Sequence, residues 1–209
     1  MEIAASFLKI QNDIEKIKEL NSLVGRIHYD IMDGIFVKNK TIGFNEMKEI
    51  NQIITCTKDI HLMVNDVYKY VDIYIKLNPD YIIFHYETNK DIEEKINYIK
   101  NQNIKVGIAI NPNTNPILLR PYLDKIDLVL IMSVPPGKGG QEFIDISYKV
   151  DYFYEIRKEN NLNYLIEVDG GINDETIKLI NKADIAVVGS FITDSNDYKK
   201  QINKIEGAL

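Results

Sequence analysis

A chain of 209 residues, 45% hydrophobic and 27% charged, is long enough to bury one substantial core. Its formal net charge of −6 argues against a nucleic-acid surface, which needs clustered Lys and Arg, yet leaves an anionic small molecule open because backbone N–H groups alone can hold a phosphate. Cys56 is the single cysteine, so no intramolecular disulfide can form; with neither a leader-like segment nor an apolar run of roughly 20 residues, a cytoplasmic protein without a membrane partner is expected.

Short β-branched runs alternate with amphipathic stretches from end to end. Strands are expected at residues 3–7, 26–31, 58–64, 81–85, 105–110, 128–132, 163–168 and 183–188. Between them apolar residues recur at helical spacing, as in Val67, Val71, Ile75 and in Ile92, Ile96, Ile99. Asn65-Asp66, Asn173-Asp174 and Asp194-Ser195-Asn196 supply cap or turn chemistry at the junctions. About eight strands and eight helices, with no linker or repeat, predict an α/β fold: a single (β/α)8 TIM barrel domain over residues 1–209. The rival open sheet would carry G-x-G-x-x-G after its first strand, where Ser6-Phe7-Leu8-Lys9 stands instead.

In such a barrel the working side chains project from the C-terminal strand ends. The second strand ends His28-Tyr29-Asp30-Ile31-Met32, and the period of two puts His28, Asp30 and Met32 on one face and Tyr29 and Ile31 on the other. The third strand pairs His61 with Met63 in the same way, and the seventh ends at Asp169. Two His and two Asp at inward strand ends can surround one divalent ion, for which Zn2+, Fe2+, Mn2+ and Co2+ are all suitable. Any one of the four taken alone reads as a satisfied buried polar group; their joint placement favours the metal site. Gly170-Gly171 and Gly189-Ser190 follow strands seven and eight, the loops that form the recurrent phosphate site of these barrels, although a glycine pair is also an ordinary tight turn. The segment 134–141, with Gly137, Gly139 and Gly140 before Gln141, reads as a closing lid by its glycines and as a rigid turn by Pro135 and Pro136.

Together these motifs resemble the ribulose-phosphate 3-epimerase family from about Ile3 to about Lys199. The family's H-x-D-x-M-D-G-x-F-V-P-N stands at residues 28–39 with Lys38 for the proline. H-L-M-V stands at 61–64, H-x-E at His85-Tyr86-Glu87, and G-x-x-x-N-P at 107–112. The lid N-P-G-F-G-G-Q stands at 135–141, E-V-D-G-G-I at 167–172, and the final G-S at Gly189-Ser190. The resemblance implies His28, Asp30, His61 and Asp169 as ligands of one divalent metal ion, with Asp30 and Asp169 also the two acid/base groups. It implies substrate contacts from Ser6, His61, Met32, Met63, Met132, Gly137, Gly139, Gly140, Gln141, Gly170, Gly171, Gly189 and Ser190. Met132 reads equally well as barrel-core filler. His85 and Glu87 are read as a hydrogen-bonded pair supporting the site, with direct catalysis left open.

The implied activity is a metal-dependent isomerase of the pentose phosphate pathway, inverting C3 between D-ribulose 5-phosphate and D-xylulose 5-phosphate through a cis-enediolate. A six-carbon ketose phosphate such as D-allulose 6-phosphate is the alternative, and a sugar-phosphate-binding regulator on a dead barrel is the non-enzymatic one. Related decarboxylases use D-x-K-x-x-D, and Met32 occupies the place of that lysine. Family members are often dimers or larger, so the resemblance implies a homo-oligomer. This sequence departs from the family at Ala5, at Lys9-Ile10-Gln11, and in the lid at Pro135 and Lys138.

Overall fold

The computed structural model describes residues 1–88 and 90–209. Its eight strands are β1 (Glu2–Ser6), β2 (Arg26–Met32), β3 (Thr57–Met63), β4 (Tyr81–His85), β5 (Lys105–Ile110), β6 (Leu128–Met132), β7 (Leu165–Asp169) and β8 (Ile185–Val188). They run parallel in chain order, and β8 pairs with β1 to close the barrel. The expected TIM barrel is therefore present, with strand ends shifted by one or two residues. Strand β1 stops at Ser6 because Phe7 leaves extended geometry (φ −99°, ψ 14°), and β7 starts at Leu165 and runs on to Asp169.

Alternation along each strand separates two apolar layers. Ile27, Tyr29 and Ile31 of β2, with Ile60 and Leu62 of β3, face outward into the core shared with the helices. Ala4, Ile83, Leu130, Ile185 and Val187 fill the barrel's interior on another side. Each fully buried Ile or Leu in these layers contributes about 1.5–3 kcal/mol relative to exposure. The polar stretch of the interior comes from β2, β3 and β7 and positions the site.

The surrounding helices are α1 (Ile14–Leu23), α2 (Phe44–Asn51), α3 (Val67–Tyr74), α4 (Ile92–Lys100), α5 (Ser147–Glu159), the single turn α6 (Ser190–Thr193) and α7 (Tyr198–Glu206). Asp13, Asp66 and Asp197 cap three of them, accepting the N–H groups of Lys16, Lys69 and Lys200. The cap of α7 is thus Asp197, with Ser195 Oγ accepting from its N–H in the preceding turn. In α4 the buried face is Ile92, Ile96 and Ile99 as expected, whereas α3 buries Tyr74 in place of Ile75, which has passed into a 3-10 turn. The fifth and seventh helical connections are 3-10 segments, Pro116–Tyr122 and Thr176–Ile180, not α-helices. Pro121 inside the first has no N–H to offer an i−4 carbonyl, which removes the α-helical option there. Among the described residues, no helix is long and apolar enough to cross a membrane.

Gly107 faces the barrel interior, where a Cβ would stand 2.8 Å from Ile83 Cγ1 and 3.1 Å from Leu128 Cδ2. The interior is packed too closely to absorb a branched side chain. Gly107→Val is expected to cost about 1–3 kcal/mol of stability. Chemical denaturation measures this, and an unchanged midpoint would contradict the packing argument.

Candidate metal centre and substrate cavity

The register of neighbouring strands stacks polar rows at the barrel mouth. Parallel pairing aligns Ser6 with His28, His28 with Asp59, Asp30 with His61, and Met32 with Met63, while Met132 of β6 pairs with Asp169 of β7. The upper row brings His28, Asp30, His61 and Asp169 together, one donor atom from each lying within 4.8 Å of all the others. His28 Nε2 lies 3.4 Å from His61 Nδ1 and 3.6 Å from Asp30 Oδ1. His61 Nδ1 lies 3.5 Å from Asp30 Oδ1 and 3.9 Å from Asp169 Oδ2. Ligands about 2.0–2.2 Å from a shared ion stand roughly 3–4 Å from one another, so this donor set fits a divalent cation.

Both imidazoles are completely buried, Asp30 is nearly so, and Asp169 is 17% exposed. Burial raises the cost of ionising Asp30, but the neighbouring His28 and His61 outweigh it and hold that carboxyl well below the usual range. Ser6 Oγ donates to Asp30 Oδ2 at 2.6 Å, which further favours the anion. Asp169 is driven the other way. Burial and then the charge of Asp30 push it up to about 7. For His28, burial opposes the charged form, yet Asp59 and Asp30 raise its pKa well above the ordinary imidazole value. Burial, only partly offset by the hydrogen bond to Asp30, lowers His61 to about 4.

A second polar row lies one pleat deeper, and sequence reasoning did not single it out. His28 Nδ1 is 2.9 Å from Asp59 Oδ1 without hydrogen-bond alignment, and 3.6 Å from Glu167 Oε1. These three residues form another possible cation cluster, but Arg26 Nη1 already lies 3.3 Å from Asp59 and its Nη2 3.1 Å from Glu2. Burial and the charge of Asp59 push Glu167 up to about 8. The missing signal was available: Arg26, Asp59 and Glu167 each stand two residues before a proposed ligand and share its inward face. Ser133, also missed, donates to the carbonyls of Asp169 (3.0 Å) and Gly170, fixing the turn that carries Asp169.

His85 and Glu87 form a chain behind His61. His61 Nε2 lies 2.8 Å from His85 Nε2, and His85 Nδ1 3.0 Å from Glu87 Oε2. Glu87 Oε1 accepts from the Asn111 N–H at 2.8 Å and from the Thr114 hydroxyl. The buried Lys149 ammonium donates to the carbonyls of those same two residues at 2.8 and 2.7 Å.

A cavity of about 340 Å³ opens above the upper row, walled by Ser6, Asp30, Met32, Met63, Met132 and Asp169 on its floor side. Gly170, Gly171, Gly189 and Ser190 line another side, and residues 135–141 cover it. His28 and His61 do not reach this wall, so any contact of His61 with substrate would pass through its neighbours. Met32, Val37 and Met63 pack together beside Leu8 and Phe36, an apolar flank to the cavity, while Met132 belongs to the barrel interior. Gly137 (φ +104°) is pressed on Val37, with Asn39 Nδ2 donating to its carbonyl at 2.8 Å. Gly171 (φ +57°) leaves no room for a Cβ, which would stand 2.6 Å from Phe143 N. The Gln141 amide turns back into its own loop, donating to the carbonyls of Pro135 (2.8 Å) and Lys138 (2.7 Å).

Residues 2–193 match the sequence model of the ribulose-phosphate 3 epimerase family. A ribulose-phosphate 3-epimerase from Helicobacter pylori is 35% identical over 207 residues, covering 98% of this chain and 94% of the relative. Those of Buchnera aphidicola subsp. Baizongia pistaciae and Bacillus subtilis are 38% and 34% identical, each covering 99% of this chain and 92% and 96% of the relative. Among solved structures, 3-hexulose-6-phosphate synthase from Salmonella typhimurium superposes with a TM-score of 0.71 at 17% identity, covering 100% of this chain and 98% of that one. N-(5'-phosphoribosyl)anthranilate isomerase from Pyrococcus furiosus gives 0.70 at 13%, with coverage of 100% and 98%. Those two likenesses establish the barrel type alone, but the sequence matches go further, and by them this chain belongs to the ribulose-phosphate 3-epimerase family and is an isomerase of that type.

Proposed function

We propose that the chain interconverts D-ribulose 5-phosphate and D-xylulose 5-phosphate by inverting C3, with Asp30 and Asp169 as the two proton carriers. The observation that carries this is the opposed tuning of two aspartates on β2 and β7, both on the wall of one cavity. Inversion requires a proton to leave C3 on one face and another to arrive on the opposite face, so two carriers must begin in opposite states. Asp30, held ionised by imidazole and by Ser6, is suited to take the C3 proton. The electron pair left behind moves into a cis-enediolate across C2 and C3. Asp169, pushed up to about 7 by burial and by Asp30, can carry the proton that returns to C3 from the other side. The carriers end with their states exchanged, and turnover in the opposite direction or exchange with solvent restores them.

His28, Asp30, His61 and Asp169 would hold the divalent ion. When bound, it would supply Lewis acidity at the substrate oxygens that bear the enediolate charge. The methionine flank keeps this end of the cavity poor in water, strengthening every charge interaction within it. Hydrogen-bond logic fixes the donors. The Glu87 carboxylate can only accept, so His85 carries its proton on Nδ1 and offers a bare Nε2. That nitrogen accepts from His61 Nε2–H, which leaves His61 Nδ1 bare and facing Asp30 and Asp169. The carboxylate of Asp59 beside His28 Nδ1 likewise favours a free Nε2.

Asp30→Asn and Asp169→Asn are each expected to lower kcat by at least about 10²–10⁴-fold with the fold retained. Steady-state epimerisation of pentulose and hexulose phosphates, beside circular dichroism, checks this and separates the five-carbon substrate from the six-carbon one. Near-normal turnover in both variants would defeat the two-carrier scheme. Glu87→Gln can present an amide N–H to His85 Nδ1 and reverse the tautomers, placing a proton on His61 Nδ1. A loss of about 10–100-fold in metal affinity is expected, read by competition with a chromophoric chelator. Unchanged affinity would remove Glu87 from the metal's support. Metal uptake must also displace a proton from His28, whose pKa is raised. Affinity should therefore climb as pH rises from 6 to 8 with net proton release, and a flat profile would contradict this protonation state.

A further inference from the structure

The rim of the cavity carries a charged pair that the epimerisation scheme does not use. Lys9 follows β1 in the turn Leu8–Ile10, at a position where this chain departs from its family's sequence pattern. Its Nζ bonds Asp194 Oδ2 at 2.6 Å, with the two side chains 38% and 57% exposed. The same ammonium lies against the lid: a Cβ at Gly140 would stand 3.2 Å from Lys9 Nζ and 3.5 Å from Ser190 Oγ. A Cβ at Gly139 would meet Ser190 Oγ at 3.6 Å and Lys9 Cγ at 3.8 Å. An ammonium, a hydroxyl and the backbone of two lid glycines therefore converge on one edge of the cavity. Of the cavity's wall residues among those described, Lys9 and Lys138 are the only Lys or Arg, set against Asp30, Asp169 and Asp194.

Charge decides how this edge can be used. A phosphate dianion entering beside Ser190 meets the Asp194 carboxylate, which repels it unless a cation lies between. An exposed Lys–Asp pair adds little to stability, so parting or sharing it costs little. A doubly charged phosphate with several acceptor oxygens is the stronger partner for the same ammonium.

We propose that Lys9 is a phosphate-binding residue: its ammonium turns from Asp194 to the substrate phosphate and fastens the Gly139–Gly140 segment over it. The proposal rests on the sugar-phosphate reading above. It assigns Lys9 to substrate binding, not to proton transfer, so its loss should appear in KM and not in kcat.

The test compares wild type with Lys9→Met, Lys9→Arg and Asp194→Asn, measuring ketose-phosphate kinetics and inhibition by inorganic phosphate. Lys9→Met should raise both KM and the phosphate inhibition constant about tenfold, ~1.4 kcal/mol, with kcat within about threefold of wild type. The difference should shrink at high ionic strength, because the group is exposed. Lys9→Arg should recover most of the affinity. Asp194→Asn should leave both constants unchanged or lower them. The proposal is overturned if Lys9→Met leaves both constants within about twofold of wild type. It is equally overturned if Asp194→Asn reproduces the Lys9→Met defect, since the pair would then be a strut between β1 and α6. Wild type inactive on every ketose phosphate would instead sink the substrate reading; calorimetric binding of inorganic phosphate to the same variants would still decide the role of Lys9.

Discussion

The site depends on an excess of carboxylates in a dry barrel. Asp30, Asp59, Glu167 and Asp169 project into the interior from three strands, and among the described residues Arg26, paired with Asp59, is the only Lys or Arg bonded to any of them. Isolated ionised groups in such surroundings are prohibitive, so the excess must be resolved by protonation or by further positive charge. Neighbouring carboxylates raise His28 well above the ordinary imidazole value, and burial with those carboxylates pushes Glu167 and Asp169 up to about 8 and 7. A divalent cation held by the four upper residues, as proposed, would offset the same negative charge. The electrostatics that make the metal-free interior awkward are those that make it a good cation site.

The two imidazoles are held by different means, and the difference follows from where each stands in the sheet. His28 sits over the deeper row, where Asp59, anchored by Arg26 and beyond it by Glu2, lies against its Nδ1. His61 is instead held from the side, through His85 and Glu87 at the end of β4 and the residues after β5. Lys149, reaching in from α5 to the carbonyls of Asn111 and Thr114, closes that second route. One imidazole is fixed along the barrel axis and the other around its circumference. His28 cannot turn without losing Asp59, nor His61 without losing His85, which is how a rigid scaffold keeps a metal site in shape.

Much of this was legible in the sequence because one rule, the strand period of two, governs both burial and chemistry. It set Ile27, Tyr29 and Ile31 against the helices and turned His28, Asp30 and Met32 inward, and the register then brought Asp30 beside His61. The same rule applied one pleat lower points to Arg26, Asp59 and Glu167, which lie below the strand ends where the working side chains of a barrel are sought. Lys149 and Thr114 were out of reach for a different reason. Their meeting with the Glu87 chain joins α5 to the loop after β5, a contact between segments more than thirty residues apart that no periodicity announces. The 3-10 segment at Pro116–Tyr122 was hidden because apolar spacing there resembles a helix, while Pro121 withholds the hydrogen bond an α-helix needs.

The cavity's asymmetry completes the account of orientation. Its floor is anionic, its flank is thioether and aliphatic, and its far rim combines glycine backbone with Ser190. A ketose phosphate has the matching polarity: carbonyl and hydroxyl oxygens at one end for a cation, a dianion at the other for N–H and hydroxyl donors. The loop after β2 ties the two ends together. It leaves a strand bearing two of the proposed ligands, packs Val37 beside Met32 and Met63, and meets the lid through Val37 against Gly137 and Asn39 bonded to the Gly137 carbonyl. In the proposed reaction, closure over the phosphate and exclusion of water from the reacting carbons would share one set of contacts.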